Sequence, residues 1–277
     1  MTFNIRITQA KKTLEDFTLG PVEFELKPDT ITAIVGNNGS GKSTLLKLIM
    51  NLAPLDSGEI KYSNSKSIPK EYVAYLPQSF TGYDVFTGND LKEFISQWYT
   101  NWNELFFKEI IQLFNVNLYK RFSSLSQGDQ QKLMLALTLP RGTELLLLDE
   151  PTNFIDIPAK KHLVGLLTKW METEGSTILF TSHQASDIQK LADYIVILKD
   201  GKQLGFFEKE SLIESYKYFW FTDQPPIDHI PGEISRDQRS ILTRESHKAI
   251  GYFNELNITP HKITGLELDD IITLILN

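Results

Sequence analysis

A glycine-rich segment between two apolar runs constrains the fold more than any other feature of the chain. Residues 31–35 read ITAIV, which is typical of a buried strand, and residues 36–43 read GNNGSGKS. Leucine and isoleucine then recur with helical spacing over residues 42–49. A strand, this glycine spacing and a helix, in that order, predict a phosphate-binding loop in an α/β fold.

The chemistry of a triphosphate explains why the loop has these residue types. Glycines let backbone N–H groups approach the phosphate oxygens, and the helix N-terminus directs its positive dipole end at the anion. We expect Lys42 to contact the β and γ phosphates as a catalytic residue, and the Ser43 hydroxyl to ligate Mg²⁺. The predicted nucleotide-binding residues of this loop are Gly36, Asn37, Asn38, Gly39, Ser40, Gly41, Lys42, Ser43 and Thr44.

Two adjacent acidic residues end a second apolar run. Residues 145–148 are four leucines, and Asp149 and Glu150 follow them directly. Open α/β sheets bind their ligands at the carboxyl ends of their strands, which is where these carboxylates would lie. Since the chain also has a phosphate loop, we expect Asp149 to hold magnesium through water. We expect Glu150 to polarise the attacking water as a general base.

The remaining patterns predict the α/β fold of a P-loop NTPase core. Residues 177–180 and 194–198 are further apolar strands separated by helical segments, which indicates a mostly parallel sheet covered on both faces. Residues 2–8 and 22–26 alternate apolar and polar residues, so they predict an N-terminal antiparallel β subdomain. Residues 91–114 are predicted to be helical and are rich in aromatic residues, which indicates an inserted helical subdomain.

The composition changes after about residue 208, where three prolines interrupt the pattern. We therefore expect an ATPase domain over residues 1–207, with its helical subdomain over about residues 79–135. Residues 208–277 are predicted to form a small C-terminal α+β appendage, with helices over residues 246–256 and 266–276.

Charge and cysteine content limit the partners. The formal net charge is −7, which argues against the basic face that a nucleic-acid binder needs, so we expect no nucleic-acid partner. The chain has no cysteine, which excludes disulfides and thiolate metal sites and suits the cytosol. No apolar run approaches the roughly 20 residues of a membrane-spanning helix. If the protein acts at a membrane, another chain must span it.

A pentapeptide before the acidic strand narrows the choice among nucleotide-binding families. Residues 125–129 read LSQGD, which resembles the LSGGQ signature of ATP-binding cassette (ABC) proteins. Gln127 replaces a glycine and Asp129 replaces the glutamine, whereas Ser126 and Gly128 are kept. The resemblance continues in order along residues 1–207, through the glutamine loop at Gln78, the D-E-P-T-x-x-L-D motif at residues 149–156 and the switch histidine at His183.

The resemblance implies roles that the residue chemistry alone does not assign. It implies that Gln78 contacts the nucleotide and Mg²⁺ and links them to a membrane partner, and that His183 is a catalytic sensor of the γ-phosphate. It also implies that Asp156 lies in a loop that crosses a dimer, and that an aromatic residue, here Phe17, stacks on adenine. The residues that it assigns to the γ-phosphate of the partner's ATP are Ser126, Gln127 and Gly128.

The family implies an ATPase that uses ATP and Mg²⁺ and works with two kinds of partner. One is a second ATP-binding subunit, in a homodimer or a heterodimer, and the other is a polytopic membrane subunit. The chain would then be cytoplasmic and peripheral on the cytoplasmic face of the cell membrane. Residues 265–272 read GLELDDII and resemble the terminal L-E-D-I/V-F helix of drug- and antibiotic-type exporter ATPases, so we expect export.

The alternative is a non-transport ABC ATPase that acts on ribosomes or DNA. Ribosome-type members carry two cassettes and basic linkers, whereas this chain has one cassette and is acidic. DNA-repair members carry a long coiled-coil insertion, and no such insertion lies between Gln78 and Leu125. The sequence therefore favours the transport subunit.

Overall fold

The structure is a computed structural model that describes residues 4–62 and 72–277. The chain forms two compact units, Met1–Phe206 and Phe207–Asn277. Residues 2 and 3 of the predicted first strand lie outside the described residues. Across the two described ranges, no helix is both long enough and apolar enough to cross a bilayer.

The larger unit alternates strands and helices. Two short 3₁₀ helices, Phe122–Ser124 and Leu139–Arg141, flank the fourth α-helix. Along the chain the elements are β1 (Ile5–Leu14), β2 (Phe17–Leu26), β3 (Ile31–Val35), α1 (Lys42–Ile49), β4 (Ser57–Tyr62), β5 (Val73–Leu76), α2 (Gly88–Ser96), α3 (Glu104–Phe114), α4 (Gln127–Thr138), β6 (Leu145–Asp149), α5 (Ile157–Trp170), β7 (Thr177–Ser182), α6 (Ala185–Leu191), β8 (Tyr194–Lys199) and β9 (Lys202–Glu208).

Six strands form the central sheet, in the order β5-β6-β7-β3-β8-β9. The strands from β5 to β8 pair in parallel, which confirms the predicted mostly parallel sheet. Every residue of β3, β6 and β7 is buried, as expected for strands covered on both faces. The parallel register places Asp149 opposite Thr181 and Val35 opposite Ser182, so the phosphate loop and the acidic residues leave the sheet at one edge.

The N-terminal subdomain is a three-stranded antiparallel sheet in the order β2-β1-β4, as predicted. Ile5 and Ile7 point into a core that also contains Ile34 and Leu45. β1 and β2 are longer than the alternation indicated because their pairing continues through register shifts after Ile7 and Ala10. Such irregularities interrupt the period of two on which the sequence-based prediction depends.

The helical subdomain contains separate helices, and residues 97–103, in the middle of the segment predicted to be helical over residues 91–114, are not helical. Helix α2 ends at Ser96, and α3 begins at Glu104. The Asn103 side chain accepts a hydrogen bond from the Phe106 N–H at 2.9 Å and caps α3. Asparagine favours this capping position because its side chain competes with the helix for backbone N–H groups.

The smaller unit is an α+β unit with a four-stranded antiparallel sheet, in the order β11 (Glu233–Arg236), β12 (Ser240–Thr243), β10 (Lys217–Trp220) and β13 (Lys262–Gly265). Its core includes Phe219, Ile241 and Phe253, and the rings of Phe219 and Phe253 meet edge-on at 5.0 Å between centroids. Residue 266, the predicted start of the last helix, instead follows a strand that ends at Gly265. The elements are α7 (Lys209–Ser215), β10 (Lys217–Trp220), β11 (Glu233–Arg236), β12 (Ser240–Thr243), α8 (Ser246–Glu255), β13 (Lys262–Gly265) and α9 (Leu268–Leu276).

Candidate functional site

The glycine-rich loop joins β3 to α1 and leaves the start of the helix open. Gly41 precedes the helix with φ of 100°, a left-handed conformation that glycine adopts without a steric penalty. No side chain caps the helix, so its first N–H groups have no acceptor from a capping residue. A helix start of this kind favours an anion, because free donors and the positive dipole end point the same way.

The Lys42 side chain folds back over the glycine-rich loop that precedes it. Its side chain is 7% exposed, and Nζ donates to the Gly36 carbonyl at 2.8 Å and to the Asn37 carbonyl at 3.3 Å. Nζ also lies 3.6 Å from Glu150 Oε1. The ammonium group therefore stands between the loop and the acidic strand end, where it can exchange neutral carbonyl partners for phosphate oxygens.

Asp149 and Glu150 are both buried, and one hydroxyl group orients them. Thr181 Oγ1 donates to Asp149 Oδ1 at 2.7 Å and accepts from the Glu150 N–H at 2.8 Å. Glu150 has φ of 51°, a left-handed conformation that is uncommon for a residue with a side chain. Burial, together with the charge of Asp149, raises the pKa of Tyr75 to about 12.

His183 follows β7 and meets Glu150. Its Nδ1 lies 2.9 Å from Glu150 Oε2, whereas Lys42 approaches the other carboxylate oxygen. The His183 side chain is about half exposed, so one nitrogen contacts the buried carboxylate while the ring remains accessible from solvent. The structure thus brings the three predicted catalytic residues together around one carboxylate.

A cavity of about 550 Å³ opens over the loop. Phe17 and Gln78, which are distant in sequence, both line this cavity together with the phosphate loop. A Cβ on Gly41 would lie 3.0 Å from Phe17 Cζ, so the half-buried aromatic ring lies against the loop backbone. The cavity is lined by Phe17, Asn38, Gly39, Ser40, Gly41, Lys42, Ser43, Thr44, Gln78 and Glu150.

The oxygen donors at this cavity suit magnesium carried by a nucleotide. Mg²⁺ prefers oxygen ligands and is usually held by one or two protein groups together with phosphate and water. Ser43 and Gln78 line the cavity, and Asp149 ends β6 directly before Glu150, which also lines it. Residues 4–62 and 72–277 contain no cluster of three or more His, Cys, Asp or Glu side chains that could hold a metal by itself.

The signature residues begin helix α4 and lie outside this cavity. Ser126 caps the helix, and Gln127 is its first residue. A Cβ on Gly128 would lie 2.6 Å from the Phe154 carbonyl oxygen, so only glycine allows this approach. The Gln131 amide also donates to the Pro151 carbonyl at 3.1 Å. The start of α4 is therefore fixed against the loop that follows Glu150.

Asp156 lies in that same loop and caps α5. Its carboxylate accepts from the Ala159 N–H at 2.8 Å and lies 3.1 Å from Lys132 Nζ. The Ala159 hydrogen bond and then Lys132 lower the pKa of Asp156. Asp156 also lies outside the cavity, so the chain presents two groups of predicted site residues: those at the phosphate loop and those at the starts of α4 and α5.

Two buried hydrogen-bonding residues near the site carried no assignment from sequence. Thr181 bridges the acidic pair, and Thr152 donates to Asp187 Oδ2 at 2.7 Å. Each lies in a motif whose predicted role was assigned to a different residue. Thr181 is two positions before His183, and Thr152 is two positions after Glu150. Only the strand register and the helix packing show what these hydroxyl groups contact.

Comparison with known proteins assigns the family. The sequence model described as ABC transporter matches residues 19–153. The petrobactin import ATP-binding protein FpuC of Bacillus anthracis is 31% identical over 204 residues, which cover 68% of this chain and 75% of FpuC. The chain belongs to the ABC transporter ATP-binding proteins. This is a family of ATP-hydrolysing transporter subunits.

Other relatives and solved structures agree. YtrB of Bacillus subtilis, an ABC transporter ATP-binding protein, is 28% identical, with 76% of this chain and 74% of YtrB covered. The xylose import ATP-binding protein XylG of Thermoanaerobacter pseudethanolicus is 31% identical, but the match covers 78% of this chain and only 47% of XylG. The solved structure of an ABC transporter ATP-binding subunit shares the fold, with a TM-score of 0.68, 20% identity and coverage of 76% and 92% of the two chains.

Proposed function

We propose that this chain hydrolyses ATP to energise transport through a separate membrane subunit. The observation that carries the proposal is the convergence of Lys42, Glu150 and His183 at a cavity lined by an open phosphate loop. We assign this activity to an ABC ATPase domain over residues 1–207, with residues 208–277 as an appendage.

Binding would begin with an exchange of partners at Lys42. A triphosphate offers this ammonium oxygen acceptors that carry negative charge, whereas the carbonyl oxygens that it contacts now are neutral. Movement of Nζ toward the β and γ phosphates would lengthen its 3.6 Å contact with Glu150. The loop N–H groups would bind the phosphate oxygens, and the Phe17 ring would stack on the adenine.

Hydrolysis would use Glu150 as the general base. Its carboxylate would accept a proton from a water molecule that attacks the γ-phosphorus, and the bond to the β-phosphate oxygen would break to give ADP and phosphate. His183 contacts Glu150 Oε2, so it would orient the carboxylate and report on the γ-phosphate. Mg²⁺, held by Ser43, Gln78 and Asp149, would neutralise charge that develops on the phosphates.

A second ATP-binding subunit would complete the site. The start of α4 presents Ser126, Gln127 and Gly128 at the surface, and a helix start can bind a phosphate of a neighbouring chain. Asp156 would lie in the same contact. Phe154 and Ile157 beside it are 61% and 84% exposed, more apolar surface than such a loop needs within one chain.

The membrane partner would contact the surface beyond Gln78. Exposed apolar side chains concentrate there: Val85 and Trp98 are each 71% exposed, Phe94 is 58% exposed, and the Phe94 and Trp98 rings meet at 6.4 Å. Patches of this kind mark protein–protein contacts. The chain would then be peripheral on the cytoplasmic face of the membrane. Its net charge of −7 argues against a nucleic-acid partner.

We further propose export as the direction of transport. This rests on the likeness of residues 265–272, at the start of α9, to the closing helix of drug- and antibiotic-type exporter ATPases. Relatives named for the import of petrobactin, xylose and molybdenum also match the chain. Membership of the family therefore does not by itself fix the direction of transport.

A pull-down from membranes of the source cells, with the tagged full chain in MgATP, tests this function. The proposal expects a polytopic membrane protein in the eluate and stimulation of ATP hydrolysis in the recovered complex. Recovery of ribosomes without a membrane protein would instead support the non-transport alternative and contradict the proposal.

A further inference from the structure

Asp129 occupies the third residue of α4, at the helix start that the proposed function assigns to the partner's γ-phosphate. Its Oδ2 accepts a hydrogen bond from the Ser126 hydroxyl at 2.8 Å, and its N–H donates to the Ser126 oxygen at 3.1 Å. The Ser126 hydroxyl proton therefore points at a carboxylate of its own chain.

The charge of Asp129 is not offset by the nearest basic residue in sequence. Lys132, one turn further along α4, instead pairs with Asp156 at 3.1 Å. Asp129 is half-buried and Ser126 is exposed, so the carboxylate lies at the surface that a partner would approach. A carboxylate in the first turn stabilises the isolated helix through the dipole, which is the same property that would attract a phosphate.

Carboxylate and phosphate thus compete for one positive helix end. Two like charges about 6 Å apart in partly solvated surroundings oppose each other enough to change an equilibrium constant by about tenfold. The serine hydroxyl, already donating to Asp129, must also turn before it can donate to a phosphate oxygen. Both effects weaken the binding of the partner's γ-phosphate at the start of α4. Neither changes ATP binding at the chain's own phosphate loop.

We infer that Asp129 limits the affinity with which this chain holds the γ-phosphate of a second copy's ATP. The inference rests on the proposed function and goes beyond it, because it names the residue that sets the strength of the closed dimer. The neutral Asp129→Asn side chain keeps an oxygen that can accept from Ser126 and removes only the charge. This variant should therefore form a tighter ATP-dependent dimer.

The test compares Glu150→Gln with Glu150→Gln/Asp129→Asn, both as full chains in MgATP. Sedimentation velocity over a range of protein concentrations gives the dimer dissociation constant at low and high salt. We expect Asp129→Asn to lower this constant about tenfold at low salt, and we expect the difference to shrink at high salt. An unchanged or a higher constant would overturn the inference.

Asp90 provides a matched control. It is the third residue of α2, and like Asp129 with Ser126 it accepts from the hydroxyl of the capping Thr87 and donates its N–H to that oxygen; Asp90 also accepts from the Thr87 N–H. Asp90→Asn removes the same charge from an equivalent position of a different helix, so it should lower thermal stability by a similar amount. It should leave the dimer constant unchanged, and an equal effect of both variants would assign the change to helix stability.

Binding of a fluorescent ATP analogue separates this inference from the proposed function. The analogue reports on the chain's own phosphate loop. If the double variant binds it but stays monomeric at every concentration, the inference is wrong and the nucleotide site stands. If the Glu150→Gln parent does not bind it, the proposed function itself fails.

Discussion

Replacing Thr181 with valine should disturb both the stability and the activity of the protein. Valine has the shape of threonine but no hydroxyl, so Asp149 Oδ1 loses its 2.7 Å donor and the Glu150 N–H loses its 2.8 Å acceptor. Each buried group left unsatisfied costs about 1–3 kcal/mol, so the free energy of unfolding should fall by about 2–6 kcal/mol. Asp149 would also lose its orientation, and loss of an outer-shell partner lowers metal affinity about 10–100-fold.

Two measurements check the Thr181 prediction. Urea denaturation gives the change in unfolding free energy, and ATPase rates over a magnesium titration give the concentration for half-maximal activity. Thr181→Ser keeps the hydroxyl and serves as the control, so it should retain most of both properties. A Thr181→Val protein with wild-type stability and wild-type magnesium dependence would refute the assigned role of the hydroxyl bridge.

Three further predictions concern single contacts. Lys42→Ala should abolish MgATP hydrolysis in a folded protein, because it removes the charge that meets the phosphates; a near wild-type rate of phosphate release would contradict this. Phe17→Ala should weaken ATP binding by about 1–3 kcal/mol through loss of stacking, and unchanged affinity in a calorimetric titration would remove Phe17 from the site. Since the chain has no cysteine, Val85→Cys provides a unique crosslinking position that should capture the membrane subunit; capture only from cysteines placed in the smaller unit would contradict the proposed docking surface.

Features encoded by local spacing could be predicted from the sequence. The phosphate loop was predicted from residues 31–49 and the acidic strand end from residues 145–150, because each pattern is complete within a short stretch of sequence. Continuous apolar runs likewise predict buried parallel strands. The central sheet and the position of both motifs at one of its edges follow from these patterns.

Features that depend on pairing between distant segments could not be predicted. Thr181 reaches Asp149 only because β6 and β7 pair in this register. Phe17 was placed at the nucleotide only through the family resemblance, and its contact with the loop backbone follows from the position at which β2 begins. The contact between the Asp129 carboxylate and the Ser126 hydroxyl likewise required the structure, although the departure of Asp129 from the signature was visible in the sequence.

The measurement that tests the central claim most directly is turnover and association of the Glu150→Gln protein. Glutamine keeps the shape of glutamate but cannot take a proton from water, so ATP hydrolysis should fall by about 10²–10⁴-fold while binding persists. MgATP should then convert the monomer into a dimer in light scattering, and adding Ser126→Arg should prevent that conversion by blocking the surface of α4. A Glu150→Gln protein that hydrolyses ATP at the wild-type rate would contradict the account.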